Sequence, residues 1–458
     1  MNATPLPVKP PCKKIAVIGS GISGMSCAWL LNQSQDVTLY EKDDRLGGHS
    51  NTVTFELNQQ PVSVDTGFIV YNPVNYPNLV AFFDALDVTT CETDMSFAVS
   101  INGGELEYSG SGLSGLLAQK SNLAKPQFWS MLKDLMRFYR EADELLQAPE
   151  NRHITLGQML KQHNYGKAFI YNHLLPMGAA IWSVPVEKML EYPATSFLRF
   201  CRNHGLNQLR NRPQWRTVVN GSRCYVDKIA QHLGNAVRLN TRIQSVTRYD
   251  DHVVVDDMLG NSETYDEVVF ACHSDQALNL LSDASRDEKS LLGCFPYQRN
   301  FAYLHQDTSL MPLRKKTWSS WNYLSSQRQD GTRVSVSYWM NRLQPLNTEQ
   351  QLIVTLNPLH MPRQGTIIRS FFYDHPLFGQ ASLDAQRHLW SLQGKNRTWF
   401  CGAYFGYGFH EDGLQSGLAV AEALGGVMRP WQVDDPNGRI ILPPDYVARR
   451  DSAETRHA

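Results

Sequence analysis

The 458-residue sequence predicts an α/β fold, with a parallel-sheet domain assembled from discontinuous segments and a mixed α+β domain inserted between them. Three observations predict it. Ile15-Ala-Val-Ile18 is a short apolar run that stops at glycine, as a buried parallel strand does. Asp266–Ala271 and Thr398–Gly402 repeat that pattern far downstream. The long stretches between them carry helical or period-two spacing instead. A chain of this length favours two intertwined domains over one core.

After the first strand, Met25–Asn32 reads as a helix and Val37–Glu41 as a second strand. From Trp129 to Leu146 apolar positions recur at helical spacing, and Leu156–Gln162 and Gly166–Leu174 extend a mostly helical layer. Val237–Asn240, Ser245–Arg248 and His252–Val255 read as a small meander. Phe301–His305, Arg333–Trp339 and Thr366–Tyr373 alternate as strands with two different faces do. Gly413–Leu424 reads as a helix, and the polar, proline-bearing segment from Asp435 as a loose tail. The boundaries that follow are 1–72, 214–296 and 392–434 for the parallel-sheet domain, 73–213 and 297–391 for the inserted domain, and 435–458 for the tail.

Composition narrows the function. Hydrophobic residues at 42% and charged residues at 19% describe an ordinary globular chain. A net charge of −1 supplies no basic excess for nucleic acid. The eight cysteines form no C-x-x-C pair, so neither a metal site nor a disulfide framework is expected, and reduced thiols in the cytoplasm are. Met1–Lys14 has four prolines and no apolar signal-peptide region. No membrane span is expected, while peripheral membrane contact stays open.

The chemistry begins at Gly19-Ser-Gly21-Ile22-Ser23-Gly24. Gly19 permits the tight turn after the strand, Gly21 lets the backbone approach a pyrophosphate, and Gly24 lets the helix pack against the sheet. The helix N-terminus then offers free N–H groups to the phosphates. Glu41 follows Gly19 by 22 residues and ends the second strand, the position from which a carboxylate accepts from the ribose hydroxyls. Strand, glycine turn, helix and acidic strand end together predict a Rossmann-like dinucleotide unit, for NAD or FAD.

The next stretch, Asp44-Arg45-Leu46-Gly47-Gly48-His49-Ser50-Asn51-Thr52, resembles the R-x-G-G-[RHN]-x-x-T element of the flavin amine oxidase and phytoene desaturase superfamily. That resemblance implies a glutathione reductase-type FAD-binding domain. It makes Lys42, Arg45, Gly47, Gly48, His49 and Thr52 cofactor contacts beside Gly19, Gly21, Ile22, Ser23, Gly24 and Glu41. His49 stands where amine oxidases often have arginine, and either donates a hydrogen bond or fills space. Asp65-Thr66-Gly67 resembles the superfamily's acidic-glycine turn near the flavin. Val218–Tyr225 and the strands after it resemble the second nucleotide segment, which implies contacts from Val246 to the adenine and from Ala271 beside the cofactor. Phe400–Gly417 is similar to the C-terminal flavin motif and implies contacts at Gly402, Gly413, Leu414 and Ser416. Tyr404 stands near the place of an acidic residue for the ribityl chain. The S-G-G-C-Y element that tethers flavin covalently has no counterpart, so noncovalent FAD is implied.

Gly47–Thr52, Pro176–Ser183 and Gly406–Gly413 are similar to a bacterial group of predicted NAD/FAD-binding, amine oxidase-like proteins. That group is linked with fatty-acyl-modifying enzymes, which implies a lipid or other hydrophobic substrate. Gly178–Ser183, with Trp182, and the cluster around Trp321 and Tyr338 are candidate substrate walls, as is Tyr407; core packing is the alternative for each. His410, beside Glu411 and Asp412, and His305 are the candidate bases. Lys315 and Lys316 read as a solvated pair; the resemblance also makes them available as the flavin-facing lysine that some amine oxidases use. Flavin accepts hydride at N5 while the protein positions the carbon and excludes water. Three functions compete: a dehydrogenase or desaturase of an apolar acyl substrate with an unknown electron acceptor, an amine oxidase releasing hydrogen peroxide, and a non-catalytic flavin-binding protein.

Overall fold

A computed structural model describes residues 12–182, 185–208, 212–328, 331–425, 427–444 and 446. The expected N-terminal segment and the tail beyond 446 therefore fall almost wholly outside the described residues, as does Ser183. The chain forms two compact units. One takes its residues from within Met1–Gly48, Val226–Cys294 and Ala385–Ala458, and the other from His49–Tyr225 and Phe295–Asp384.

The first unit is built on a five-stranded sheet. Its order is Thr398–Phe400, Glu267–Phe270, β1 (Lys14–Ile18), β2 (Asp36–Tyr40) and Val237–Arg238, and every pair is parallel. The apolar runs are central strands: Ile15, Ala16 and Val17 on β1 and Val268, Val269 and Phe270 beside them are fully buried. Between β1 and β2 lies α1 (Ile22–Leu31), buried along its whole length. The C-terminal helix His410–Gly425 packs on it. A Cβ on Gly413 would stand 2.9 Å from Ile22 Cγ2, and one on Gly417 only 2.2 Å from the Ser23 carbonyl oxygen. Glycine at these i, i+4 positions is what lets the two backbones close.

The expected meander is corrected in one strand. Val237–Arg238 leaves it and extends the parallel sheet through Leu39 and Tyr40. The antiparallel trio is instead Ile243–Arg248, Val253–Asp257 and Ser262–Tyr265. The segment from Asp435 is also less loose than expected up to residue 444. Arg439 donates from Nε to Asp412 at 2.8 Å, and Asn437 Oδ1 accepts from Arg429 Nη2 at 3.1 Å.

The second unit carries a seven-stranded sheet. In order it runs Ile367–Pro376, Tyr297–His305, Ile353–Leu356, Gly331–Trp339, Trp321–Arg328, Phe97–Ile101 and Leu106–Ser109. Only the Trp321–Arg328 and Phe97–Ile101 pair is parallel. The helical layer is present as Pro126–Gln147, Leu156–Gln162 and Ala194–Asn203. Gly166–Leu174 departs from a single helix: Lys167–Phe169 passes into a π turn at Ile170–Leu174, which runs on as Leu175–Trp182. A hairpin, Thr52–Leu57 with Gln60–Asp65, completes the part of this unit that bears site residues.

Candidate functional site

In the first unit the glycine turn between β1 and α1 forms an open cradle. Gly19 has φ of +105°, and a Cβ there would meet the Ala271 carbonyl oxygen at 2.8 Å. A Cβ on Gly24 would stand 1.9 Å from the Gly19 carbonyl oxygen and 2.9 Å from Ala271 Cβ. Around Gly21, by contrast, nothing lies within 4 Å of the Cβ position. Gly21 is also the N-cap of α1 and makes no side-chain cap. The first-turn N–H groups of Ile22, Ser23 and Gly24 therefore meet that space without a capping side chain, which suits an anion.

The second glycine pair closes over the first. Gly47 N–H donates to the Ser20 carbonyl at 3.0 Å, and a Cβ on Gly48 would reach Gly21 Cα at 3.1 Å. Arg45 holds this turn by donating to the Gly48 carbonyl at 2.9 Å. Glu41 is nearly buried and fixed by three donors: Ser20 N–H at 3.1 Å, the Ser20 hydroxyl, and Asp43 N–H at 3.0 Å. Its carboxylate is thus oriented and still has lone pairs to accept from sugar hydroxyls. Lys42 beside it is exposed. An open glycine cradle, an uncapped helix and an oriented carboxylate fit a dinucleotide.

The sequence model of flavin-containing amine oxidoreductases matches residues 22–425. The chain belongs to this family. No curated protein sequence matches it. Among solved structures, putrescine oxidase bound to putrescine is similar over 90% of this chain and 99% of its own, with TM-score 0.64 and 14% identity. Cyclohexylamine oxidase from Brevibacterium oxydans IH-35A follows closely, at TM-score 0.63 and 14% identity over 91% and 99%. The CLA-producing fatty acid isomerase from P. acnes gives TM-score 0.61 and 15% identity over 88% and 97%. The chain is an oxidoreductase of the flavin amine oxidase and desaturase family, and FAD is its cofactor.

In this family member the C-terminal motif ends a strand against a helix. Ser416 Oγ accepts from Gly402 N–H at 2.9 Å and lies 2.9 Å from the Gly413 carbonyl, joining the strand end to the helix's first turn. Leu414 is wholly buried. The Tyr404 ring lies on Gly402, where a Cβ would meet Tyr404 Cε1 at 2.5 Å. The Val246 carbonyl accepts from Ser282 N–H and hydroxyl at 3.1 and 3.0 Å. The ladder slips register between Ile243 and Ser245, leaving Gln244 outside the pairing.

In the second unit Thr52 and Asp65 come together as an internal clamp. Thr52 Oγ1 donates to Asp65 at 2.6 Å, Ser222 donates from N–H and hydroxyl at 2.9 and 2.8 Å, and Gln344 Nε2 adds a fourth contact at 2.9 Å. Burial pushes the Asp65 carboxyl up to about 6 against these donors. Thr66 donates to the Asn51 carbonyl at 3.0 Å, and Gly67 leaves room for the His49 carbonyl, 2.2 Å from where a Cβ would stand. The His49 ring lies over Tyr373 and His375, at 4.9 and 5.3 Å between centroids. Ser222 lies within Val218–Tyr225, whereas Gln344, Tyr373 and His375 belong to no motif in the sequence.

The candidate bases belong to different units. His305 is buried within the seven-stranded sheet, with Nε2 2.7 Å from Thr355 Oγ1 and Nδ1 accepting from Asp307 N–H at 3.0 Å. Both nitrogens are engaged, and burial holds the ring down to about 4. His410 opens the C-terminal helix and is partly exposed. Its acidic neighbours turn away from solvent: Glu411 accepts from Gln415, and Asp412 from Arg439 and Phe409 N–H. Trp182 packs at a tilt against Tyr192, Phe197 and Phe200. Trp321 meets Tyr338 edge-on at 4.9 Å, and its indole N–H is buried with no acceptor among the described residues. Tyr407 lies under the Arg439 guanidinium at 5.2 Å. Lys315 and Lys316 are exposed.

Proposed function

We propose that the chain binds FAD noncovalently in a Rossmann-like, glutathione reductase-type domain and dehydrogenates a hydrophobic substrate of the fatty-acyl class. When bound, FAD supplies a two-electron acceptor for hydride. The chain's own groups supply the rest. The first turn of α1 and Gly21 hold the pyrophosphate, and Glu41 holds the ribose. The Cys401 thiol is wholly buried and driven well above its ordinary range by burial, which disfavours the thiolate that a covalent tether needs. With no disulfide among the described residues, we place the protein in the cytoplasm. Among the described residues no helix is long and apolar enough to cross a membrane.

The substrate class rests on one observation in the second unit. A recess of about 120 Å³ is lined by Ala179, Pro185, Val334, Val336, Leu356, Gln298, Thr332 and Asn357. None of these is ionisable. An ammonium substrate would lose hydration there without a carboxylate in return. Ala179 belongs to the expected substrate segment, and Val334, Val336 and Tyr338 alternate along one face of a strand. Tyr338 holds Trp321, whose indole N–H has a donor to offer a neutral carbonyl. Fatty acid isomerase among the similar folds agrees with such a substrate.

Anaerobic titration with fatty acids, acyl thioesters and amines, followed by flavin absorbance, tests the reading. Acyl substrates are expected to bleach the flavin and amines to leave it oxidised. Bleaching by amines alone would make the protein an amine oxidase.

A further inference from the structure

The helical layer of the second unit presents an exposed face whose composition is unlike that of the rest of the chain. Between residues 112 and 140 the sequence holds five basic residues, Lys120, Lys125, Lys133, Arg137 and Arg140, and one acidic residue, Asp134. Asp134 is buried. In a chain of net charge −1 this is a segregation of charge. Large apolar side chains stand among the lysines: Leu113 is 76% exposed, Leu313 72%, Trp129 51% and Leu123 44%.

These residues form one surface. Trp129 Nε1 donates to the Leu123 carbonyl at 2.9 Å, which satisfies the indole N–H and leaves its rings outward. Lys125 Nζ donates to the Glu105 carbonyl at 2.6 Å, and Leu313 Cδ1 lies against Gly104 in the same turn. The short helix Gly112–Leu116, with Leu113, packs against the turn Lys315–Thr317, which adds Lys315 and Lys316. Two nearby cations are already spent, Arg314 on Glu107 at 2.8 Å and Arg137 on Asp134 and Glu141. Glu105 is the one exposed carboxylate on this turn, and Asn102 donates to it at 3.1 Å.

We propose that this face docks on an anionic lipid bilayer, with Leu113, Leu313, Leu123 and Trp129 entering the interface and Lys120, Lys125, Lys133, Lys315 and Lys316 meeting the headgroups. Isolated aliphatic side chains this exposed gain nothing from water, and ringed by lysines they match a surface apolar within and negative at its rim. Tryptophan with a satisfied N–H suits the headgroup level. A soluble polyanion would engage the lysines and leave the leucines unused. The inference goes beyond the proposed reaction and stands apart from the substrate's identity.

Flotation of the full FAD-loaded chain with vesicles of phosphatidylcholine, with and without about 30% phosphatidylglycerol, tests it. The protein should float with the anionic vesicles, stay behind with the neutral ones, and release as salt rises. Lys120→Glu/Lys315→Glu/Lys316→Glu and Leu113→Ser/Leu313→Ser should each lower partitioning roughly tenfold or more at an unchanged Tm, because all five side chains are exposed. Failure of the wild type to float with anionic vesicles overturns the proposal. So does flotation indifferent to the leucine pair, the mark of a polyanion site. A solution dimer that these substitutions dissolve would assign the face to a second copy.

Discussion

Gly21 and Gly24 lie three residues apart and meet opposite surroundings. A methyl on Gly24 has nowhere to go, 1.9 Å from the Gly19 carbonyl, whereas one on Gly21 enters open space. Gly24→Ala should therefore destabilise the fold by about 1–3 kcal/mol or more in denaturant melts. Gly21→Ala should keep the apoprotein's stability within about 0.5 kcal/mol while FAD retention falls sharply. Equal stability losses in both would show that Gly21 is structural as well. Asp65 makes a separate prediction, because Asn would set an amide N–H group against one of its donors. Asp65→Asn should cost about 1–3 kcal/mol of unfolding free energy. An unchanged melting point would remove the clamp from the account. The two sites also differ in legibility. Gly19 to Glu41 could be read because its chemistry is local and each residue type has one backbone reason. The clamp could not, since Ser222 and Gln344 reach Asp65 from 157 and 279 residues away.

At the scale of elements, the crossing of α1 with the C-terminal helix is set by Gly413 and Gly417. Gly417→Val would force the helices apart from the Ser23 carbonyl and should lower the melting temperature, with partial loss of FAD. A variant as stable as wild type would show that the helices do not need this approach. The motif around these glycines was visible in the sequence, but its use in helix packing was not. Strands show the same limit. β1 and Glu267–Phe270 were legible because a run of buried apolar residues ends at a turn. Ile353–Leu356 is just as buried, yet it is four residues long, and its pairing with Tyr297–His305 and Gly331–Trp339 decides it. Val237–Arg238 reads as part of the meander next to it because sequence proximity cannot reveal a parallel partner some 200 residues earlier.

At the scale of the whole molecule, buried histidines set the response to acid. Burial pushes His305 and His173 down to about 4 and, with His49 beside it, His375 to about 3. Their unfolded value is near 6.5, so the unfolded chain takes up protons first as pH falls. Stability present above pH 6.5 is then lost towards pH 4, about 2 kcal/mol for each histidine at pH 5. Asp65, raised to about 6, works the other way and returns about 1 kcal/mol at that pH. The net loss should lower Tm by about 5 °C between pH 7.5 and pH 5 in thermal melts. An equal or higher Tm at pH 5 would mean that these rings are not held neutral. At this scale the discontinuous apolar runs made the central strands of the parallel sheet legible. What the second unit selects was less so, because its recess is lined by residues from four separate stretches of chain. In the proposed function the glycine cradle holds FAD without a covalent bond. Acid precipitation of the purified protein, with mass analysis of the supernatant and of the chain, tests this most directly. Free FAD beside an unmodified chain is the expected result; NAD in the supernatant, or flavin mass retained on the polypeptide, would contradict it.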